Sequence, residues 1–235
     1  MQTRTADTDR GLAWPDRARW YAYLKFMLVF YALFFPVYFG SQYVMPPRPG
    51  FPLFFDWETR IPLIPWMIWP YLSLFTLFAV PALQMSAAEM HRLTLQSTIP
   101  LLAAGLCFLV FPCRLGFPAV EIDGLHRPIF AALRAIDSPQ NLVPSLHIAF
   151  SALIVLGAHE VAVRLLRLVY VAWLLVIVCA VVLVHQHHVI DVVTGLAVAA
   201  IARAVFPLQA ENRFRRAIRA SLRRGSPPRG SASPA

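Results

Sequence analysis

Six long apolar stretches constrain this chain more than any other feature of its sequence. They cover residues 20–44, 65–85, 96–114, 142–163, 168–185 and 189–209, and each is close to the roughly 20 residues with which a helix crosses about 30 Å of hydrocarbon. Hydrophobic residues make up 58% of the chain and charged residues only 14%, whereas soluble domains carry about 25% charged residues. We therefore expect an all-α integral membrane protein, a bundle of six transmembrane helices.

The stretches divide the chain into three parts. Residues 1–19 form an N-terminal segment, 20–210 the membrane domain, and 211–235 a basic tail that mixes Arg with Ser, Pro and Gly. We expect this tail to be disordered and to lie on anionic lipid headgroups. Nucleic acid is not an expected partner, because membrane orientation accounts for the net charge of +9.

Lys and Arg are distributed unevenly around the six expected spans. Sixteen of the 21 fall on one side, and five fall on the other. The five are Arg48, Arg60, Arg114, Arg127 and Arg134. Because cytoplasmic loops carry the excess of Lys and Arg, we expect a multi-pass protein with both termini in the cytoplasm. A bacterial inner or plasma membrane is the expected location.

The outer ends of the spans collect polar residues that a bilayer tolerates poorly. Arg114 closes the third stretch, a Pro-Ser-Leu-His motif at 144–147 opens the fourth, and residues 185–191 (His-Gln-His-His-Val-Ile-Asp) join the fifth to the sixth. Ionisable groups at such positions are candidates for function. All three features fall on the extracytoplasmic side, which predicts one site there.

The residue types at this site are suited to nucleophilic and acid–base chemistry. His187 and Asp191 are four residues apart, so on a helix they share a face, where the carboxylate can orient the imidazole and stabilise its cation. An oriented imidazole is a competent nucleophile or base. His147 is then placed to protonate a leaving oxygen.

The 144–147 motif also predicts an anion site. Pro144 suits the first position of a helix, which leaves the amides of Ser145, Leu146 and His147 free at its N-terminus. With Arg114 nearby, the anion that fits best is a phosphate. Together the residues indicate phosphoryl transfer through a covalent phosphohistidine.

The two histidine motifs resemble the second and third signatures of the type 2 phosphatidic acid phosphatase (PAP2) superfamily. The Leu in the first motif and the doubled His in the second are more similar to its inositol-phosphorylceramide-synthase branch, as is a Pro-rich stretch at 61–71. The resemblance covers roughly residues 59–195. It implies a six-helix bundle with a PAP2-like core at about 96–210.

The resemblance also implies roles for individual residues. His187 is the expected nucleophile, Asp191 its orienter, His147 the acid and base, and Ser145 with the adjacent amides the phosphate holder. His188, next to His187 in sequence, is expected to have a structural role and not to contact the substrate. The family's first signature, a Lys followed seven residues later by Arg-Pro, is not met, because Val120 precedes Arg127-Pro128. We expect Arg114, ahead of Arg127, to replace the missing cation.

These inferences predict a lipid phosphatase acting at the extracytoplasmic face without metal or other cofactor. The alternative within the same chemistry is a phospholipid headgroup phosphotransferase, of the inositol-phosphorylceramide- or sphingomyelin-synthase kind, with a lipid hydroxyl as acceptor. Two other classes stay open: a transporter or a haem or metal carrier that uses the histidines, and a structural anchor whose tail recruits a partner. Residues 127–136 are expected to form a short interfacial helix. Arg134 and Asp137 are expected to be rim charges, with contact to a substrate headgroup as the alternative.

Overall fold

The computed structural model describes residues 10–44 and 49–207, and in this part of the chain it contains helices and no β-strand. The all-α prediction is thereby confirmed for these residues. The basic tail at 211–235, residues 1–9 of the N-terminal segment, Arg48 and the end of the sixth stretch lie outside the described residues. The helices are α1 (Arg17–Val44), α2 (Ile68–Leu77), α3 (Val80–Gln84), α4 (Ala87–Val110), α5 (Arg127–Ile136), α6 (Leu146–Val161), α7 (Arg164–Leu183) and α8 (Val189–Val205).

Three of these helices are long and apolar enough to cross a membrane. They are α1, α4 and α7, with 28, 24 and 20 residues. Helix α6 is apolar but has only 16 residues, and α8 has 17. The structure thus supports a membrane protein, while the six crossings stay a prediction.

The second apolar stretch is divided into two helices. Pro81 lacks the amide hydrogen that would continue the hydrogen-bond ladder, so it occupies the first turn of a new helix, α3. The preceding turn is closed by the Phe78 amide donating to the Leu74 carbonyl and the Ala79 amide donating to the Thr76 carbonyl. One continuous helix over 65–85 is therefore wrong, because the stretch forms two helices joined by a turn.

Helix α6 lies at the centre of the bundle, packed against α4, α7 and α8. Most of its side chains are buried, and Phe150 meets Phe30 of α1 edge to face, with ring centroids 4.8 Å apart. Phe78 lies against the same two rings. This aromatic core joins α1, the α2–α3 turn and α6 into one body.

Polar contacts tie the helix ends together at one end of the bundle. The Arg10 amide donates to the Val161 carbonyl (2.6 Å), and the Arg10 guanidinium pairs with Glu89 (2.9 Å), which caps the start of α4. The Gln96 amide nitrogen donates to the Phe206 carbonyl (2.7 Å). This is the end to which the sequence assigns most of the cations. The candidate site residues lie at the other end.

The short helix expected at 127–136 is present as α5. It is strongly amphipathic and buries only Phe130. Its N-terminus carries Arg127, and Asp137 follows its last residue. It lies beside the site end of the bundle, consistent with the interfacial position expected for it.

One glycine sets the distance between α6 and α8. A Cβ atom added to Gly195 of α8 would lie 2.6 Å from the carbonyl oxygen of Ser145 and 3.2 Å from the Cβ of Ile148. Both obstacles belong to the rigid first turn of α6, so they cannot move aside as a flexible side chain could. The start of α6 is therefore held against α8 by the lack of a side chain at Gly195.

We predict that Gly195→Ala destabilises the protein by about 1–3 kcal/mol, because the added methyl group must push α6 away from α8. Gly40→Ala in α1 is the control, since nothing lies within 4 Å of a Cβ added there and alanine favours a helix. Thermal unfolding in detergent measures both variants. Equal stability of the two would contradict the close α6–α8 contact.

Candidate active site

The segment between α7 and α8 carries His185, Gln186, His187 and His188 in a turn fixed by backbone hydrogen bonds. The amides of Gln186 and His187 both donate to the Val181 carbonyl, at 3.1 and 3.0 Å. His188 is the N-cap of α8, and its amide donates to the carboxylate of Asp191 at 2.8 Å. The backbone of this turn is thereby fixed between the last turn of α7 and the first turn of α8.

His187 and Asp191 are in contact, although not in the way their spacing predicts. His187 precedes the N-cap, so the two residues do not share a helix face. Instead, Asp191 at the third position of α8 reaches back, and its Oδ2 lies 3.2 Å from Nδ1 of His187. Both side chains are buried. The carboxylate therefore fixes Nδ1 as the protonated nitrogen and leaves the lone pair on Nε2.

The start of α6 is held by the same aspartate. The Ser145 amide donates to the Asp191 carbonyl (3.1 Å), and the Ser145 hydroxyl caps the helix by accepting from the Ile148 amide (3.4 Å). Pro144 precedes this cap, so its expected place as first helical residue is wrong. In the described residues, the amides of Leu146 and His147 have no hydrogen-bond partner, whereas the Ser145 amide is occupied.

His147 faces His187 across the site. Their ring centroids are 5.7 Å apart and the rings meet at 60°. On its other side, the His147 ring lies 4.6 Å from the ring of Tyr71 in α2. The 144–147 motif and the 185–191 segment are therefore brought together, as the sequence predicts.

A cavity of about 280 Å³ lies in front of the two histidines. Helices α1, α5 and α6 and the α7–α8 turn all contribute to its wall. The lining residues are Tyr38, Leu115, Arg134, Asp137, Ser138, Pro139, Asn141, Leu142, Leu146, His147, Gln186 and His187. This volume is ample for a phosphate group and adjoining atoms of its ester.

The cation at this cavity differs from the two that the sequence favours. Arg134 is the only Lys or Arg lining it among the residues that the structure describes. Arg114 is exposed and joins the fold through its backbone amide, which donates to the Phe51 carbonyl. Arg127 lines a separate hollow of about 270 Å³ together with Arg134, Glu121 and Asp123.

Arg134 could have been found from helical spacing. Arg127 and Arg134 are seven residues apart, two turns of α5, so they share a face. The interfacial helix itself is predicted, but the sequence does not show which of its ends approaches the histidines. Leu146 lines the cavity, whereas Ser145, the N-cap of α6, is not among the lining residues.

Asp137 is a second site residue that sequence reasoning treated as a rim charge. Its two carboxylate oxygens accept hydrogen bonds from Tyr38 of α1 (2.9 Å) and Tyr71 of α2 (3.2 Å). Tyr71 also contacts His147, so Asp137 is connected to the histidine pair through one side chain. No motif marks this contact, because its members are 66 and 99 residues apart.

His188 points away from the cavity into a buried clamp that includes Glu58. The Gly116 amide donates to Nε2 of His188 (2.9 Å), so the Nδ1 atom carries the hydrogen and donates to Glu58 Oε2 (3.1 Å). Burial lowers the pKa of His188, and the Glu58 carboxylate opposes that effect. Its ring is stacked between Phe54 and Phe117. His188 is thus a neutral, fully bonded support for its neighbour His187.

Glu58 was missed because it follows an aromatic stretch typical of a membrane interface. It is completely buried, and it also accepts from the amides of Val189 (2.8 Å) and Phe55 (3.0 Å). One carboxylate therefore joins the 49–64 segment to the start of α8. An acidic residue among aromatics was the only available signal.

Within residues 10–44 and 49–207, no three His, Cys, Asp or Glu side chains are grouped as metal ligands would be. His185 is directed elsewhere, because its Nε2 lies 2.9 Å from the Ile61 carbonyl oxygen and its ring stacks on Phe117. His185 and His188 thus both stack on Phe117, whereas His187 lines the cavity.

Comparisons of the chain with protein-family models, with curated proteins and with solved structures find no match.

We predict that Glu58→Ala lowers the free energy of unfolding by about 2–4 kcal/mol, because the buried His188 Nδ1–H loses its partner and the part-buried amides of Val189 and Phe55 lose theirs. Asp56→Ala is the matched control, since Asp56 is exposed two residues away, and we expect a change within about 0.5 kcal/mol. Thermal unfolding in detergent compares them. Equal midpoints would contradict the clamp.

Proposed function

We propose that this protein is a membrane-embedded lipid phosphatase that hydrolyses a lipid phosphate monoester through a phosphohistidine intermediate. The observation that carries the proposal is the arrangement around one cavity of an Asp191-bound His187, a facing His147 and the cation Arg134. A nucleophile, an acid and an anion-binding group are the parts that phosphoryl transfer through histidine needs.

In the first step, the Nε2 lone pair of His187 attacks phosphorus. The bond from phosphorus to the ester oxygen breaks, and His147 donates its proton to that oxygen, so the lipid leaves as an alcohol. His187 becomes a cationic phosphohistidine, which the Asp191 carboxylate at 3.2 Å stabilises. This carboxylate cannot move away, because it also accepts from the His188 amide.

In the second step, His147 acts as a base. It takes a proton from water, the water oxygen bonds to phosphorus, and the bond from phosphorus to Nε2 breaks. Inorganic phosphate leaves, and both histidines return to their starting states. His147 and His187 both line the cavity of about 280 Å³, which provides the space for the phosphoryl group in front of the two rings.

The phosphate oxygens have two sources of positive potential in this account. Arg134 lines the cavity, and the Leu146 and His147 amides stand at the N-terminus of the 16-residue helix α6. Helix N-termini favour anions through their dipole and their unpaired amides. The resemblance to the PAP2 superfamily supports the same placement of phosphate on the 144–147 motif.

We place the site at the extracytoplasmic headgroup level of a six-span bundle. Support comes from α1, α4 and α7, which are long and apolar enough to cross a membrane, and from the position of the cavity at the bundle end opposite Arg10, Glu89 and Gln96. The excess of Lys and Arg at the latter end assigns it to the cytoplasm.

A headgroup phosphotransferase is the second candidate. Apolar side chains of Leu115 and Leu142 line the cavity beside His147. They would suit the apolar part of a lipid whose hydroxyl replaces water in the second step. Adding a ceramide or diacylglycerol acceptor and looking for a new phospholipid distinguishes the two outcomes.

We predict that His187→Ala abolishes phosphate release from lipid phosphates and that His147→Ala lowers kcat about 10²–10⁴-fold, the range for loss of an acid–base group. Purified protein in detergent is assayed against a panel of lipid phosphates. His91→Ala, at the exposed start of α4, is the control and retains wild-type turnover. Undiminished turnover in both site variants would end the mechanism.

A second prediction separates the candidate phosphate-binding arginines. Arg134→Gln should lower kcat/KM about tenfold or more, because one charge-assisted hydrogen bond to phosphate is lost. Arg114→Gln should change it less than about threefold, because its exposed side chain does not line the cavity. The reverse order would show that Arg114 is the phosphate clamp.

A further inference from the structure

His147 lacks the carboxylate partner that His187 has. Oδ2 of Asp191 lies 3.2 Å from Nδ1 of His187, whereas within residues 10–44 and 49–207 neither ring nitrogen of His147 has a hydrogen-bond partner. His147 is half-buried, and an imidazole that is withdrawn from water loses stabilisation of its cation. A general acid must carry its proton when the leaving oxygen departs. The role proposed for His147 therefore needs a group that stabilises its protonated form.

The wall of the cavity carries a carboxylate that could do so. Among the residues that the structure describes, Asp137 is the only Asp or Glu that lines the cavity, and His147 lines the same space. Both oxygens of Asp137 accept hydroxyl hydrogens, as those of an ionised carboxylate do, from Tyr38 and Tyr71. A negative charge beside a phosphate site repels the phosphate, so substrate binding does not explain its position. A negative charge that faces an imidazole favours the imidazolium.

Tyr71 connects this carboxylate to His147. Its ring centroid lies 4.6 Å from that of His147, with the two planes inclined at 31°, and its hydroxyl donates to Oδ2 of Asp137 at 3.2 Å. The face of a tyrosine ring attracts a cation within about 6 Å. A hydroxyl that donates to a carboxylate makes its ring richer in electrons, which strengthens this attraction. Tyr71 thus stabilises a cation on His147 and restricts the imidazole ring at the same time.

Tyr71 and Asp137 are themselves held by the surrounding helices. The Tyr71 side chain is fully buried in α2, and α2 is tied to α7 where Nε1 of Trp173 donates to the Ser73 hydroxyl at 2.8 Å. Asp137 is tied to α1 by the Tyr38 hydroxyl at 2.9 Å. Both groups are therefore fixed before a substrate arrives.

We propose, on the basis of the phosphatase function above, that Asp137 and Tyr71 hold His147 as an imidazolium directed at the leaving oxygen. In the first step the bond from Nε2 of His187 to phosphorus forms, the bond from phosphorus to the ester oxygen breaks, and the His147 proton goes to that oxygen. Asp137 stays deprotonated and Tyr71 keeps its hydroxyl hydrogen. In the second step the proton from water restores the imidazolium. Asp137 is thus a positioning residue that acts through Tyr71.

The test compares two phosphate esters whose leaving groups differ in their need for a proton. A long-chain alkyl phosphate must release an alcohol, whereas p-nitrophenyl phosphate releases a phenolate that is stable without a proton. The value of kcat/KM reports formation of the phosphohistidine, the step in which the leaving group departs. We expect Asp137→Asn to lower it about tenfold or more for the alkyl ester and less than about threefold for the aryl ester. The control Asp56→Asn, at an exposed position, should retain wild-type values for both.

Two tyrosine variants separate action through Tyr71 from a structural role of the carboxylate. Tyr71→Phe keeps the ring beside His147 but removes its hydrogen bond to Asp137, so we expect it also to lower kcat/KM more for the alkyl than for the aryl ester. Tyr38→Phe removes the other hydrogen bond to Asp137. The Tyr38 ring stacks on Phe34 in α1, so we expect this variant to affect the two esters equally.

An equal loss for the two esters in folded Asp137→Asn protein would show that the carboxylate only joins α1 to α2, and would overturn the proposal. An unchanged kcat/KM for the alkyl ester would overturn it as well. If Asp137→Asn does not fold, as thermal unfolding in detergent reports, the two tyrosine variants decide, and the same ester pattern in both of them overturns it. Failure of the phosphatase function differs from all of these results: phosphate release from either ester would then be the same in wild type and His187→Ala.

Discussion

The structure of the site depends on the buried carboxylate of Asp191. Its Oδ2 atom accepts from the His188 amide and lies within hydrogen-bond distance of His187, while its backbone carbonyl accepts from the Ser145 amide. One residue thus holds the α7–α8 turn, the first turn of α8 and the cap of α6. A carboxylate is costly to bury without partners, and here its partners are the His188 amide and His187, the nucleophile in the proposed mechanism. Gly195, on the same helix, lets α6 approach closely enough for this contact.

A second carboxylate supports the first from outside. Glu58 binds His188 and the Val189 amide, and the rings of Phe54 and Phe117 enclose the imidazole. The two adjacent histidines therefore differ in their hydrogen bonding. His187 keeps one ring nitrogen available to the cavity, whereas both ring nitrogens of His188 are hydrogen-bonded. These contacts restrict the position of His187, the nucleophile in the proposed mechanism, and phosphoryl transfer depends on such positioning.

The sequence predicts the helices, the meeting of the two histidine motifs and the short helix α5, because apolar periodicity and polar residues in apolar surroundings are strong signals. It does not predict that the 65–85 stretch divides into α2 and α3 before Pro81. Nor does it predict that Asp191 contacts His187 from the first turn of α8. Both features depend on the residue at which a helix begins. Arg134, Asp137 and Glu58 were assigned to rims or missed. Their contacts join residues that are distant in sequence, so no local sequence motif predicts them. Six membrane crossings and the phosphatase function stay proposals.

The central claim is that His187 carries the phosphoryl group. The most direct measurement is to treat the His147→Ala protein with a lipid phosphate labelled with ³²P at phosphorus, quench in alkali and identify the labelled peptide by mass spectrometry. In the proposed mechanism His147 acts in both steps, so its loss slows formation as well as hydrolysis of the intermediate, and samples are quenched over a time course. The prediction is acid-labile, alkali-stable label on the peptide that contains His187, absent when His187 is also replaced by Ala. Label on a residue other than His187 would contradict the mechanism. So would turnover by wild type when neither wild type nor the His147→Ala protein carries any label.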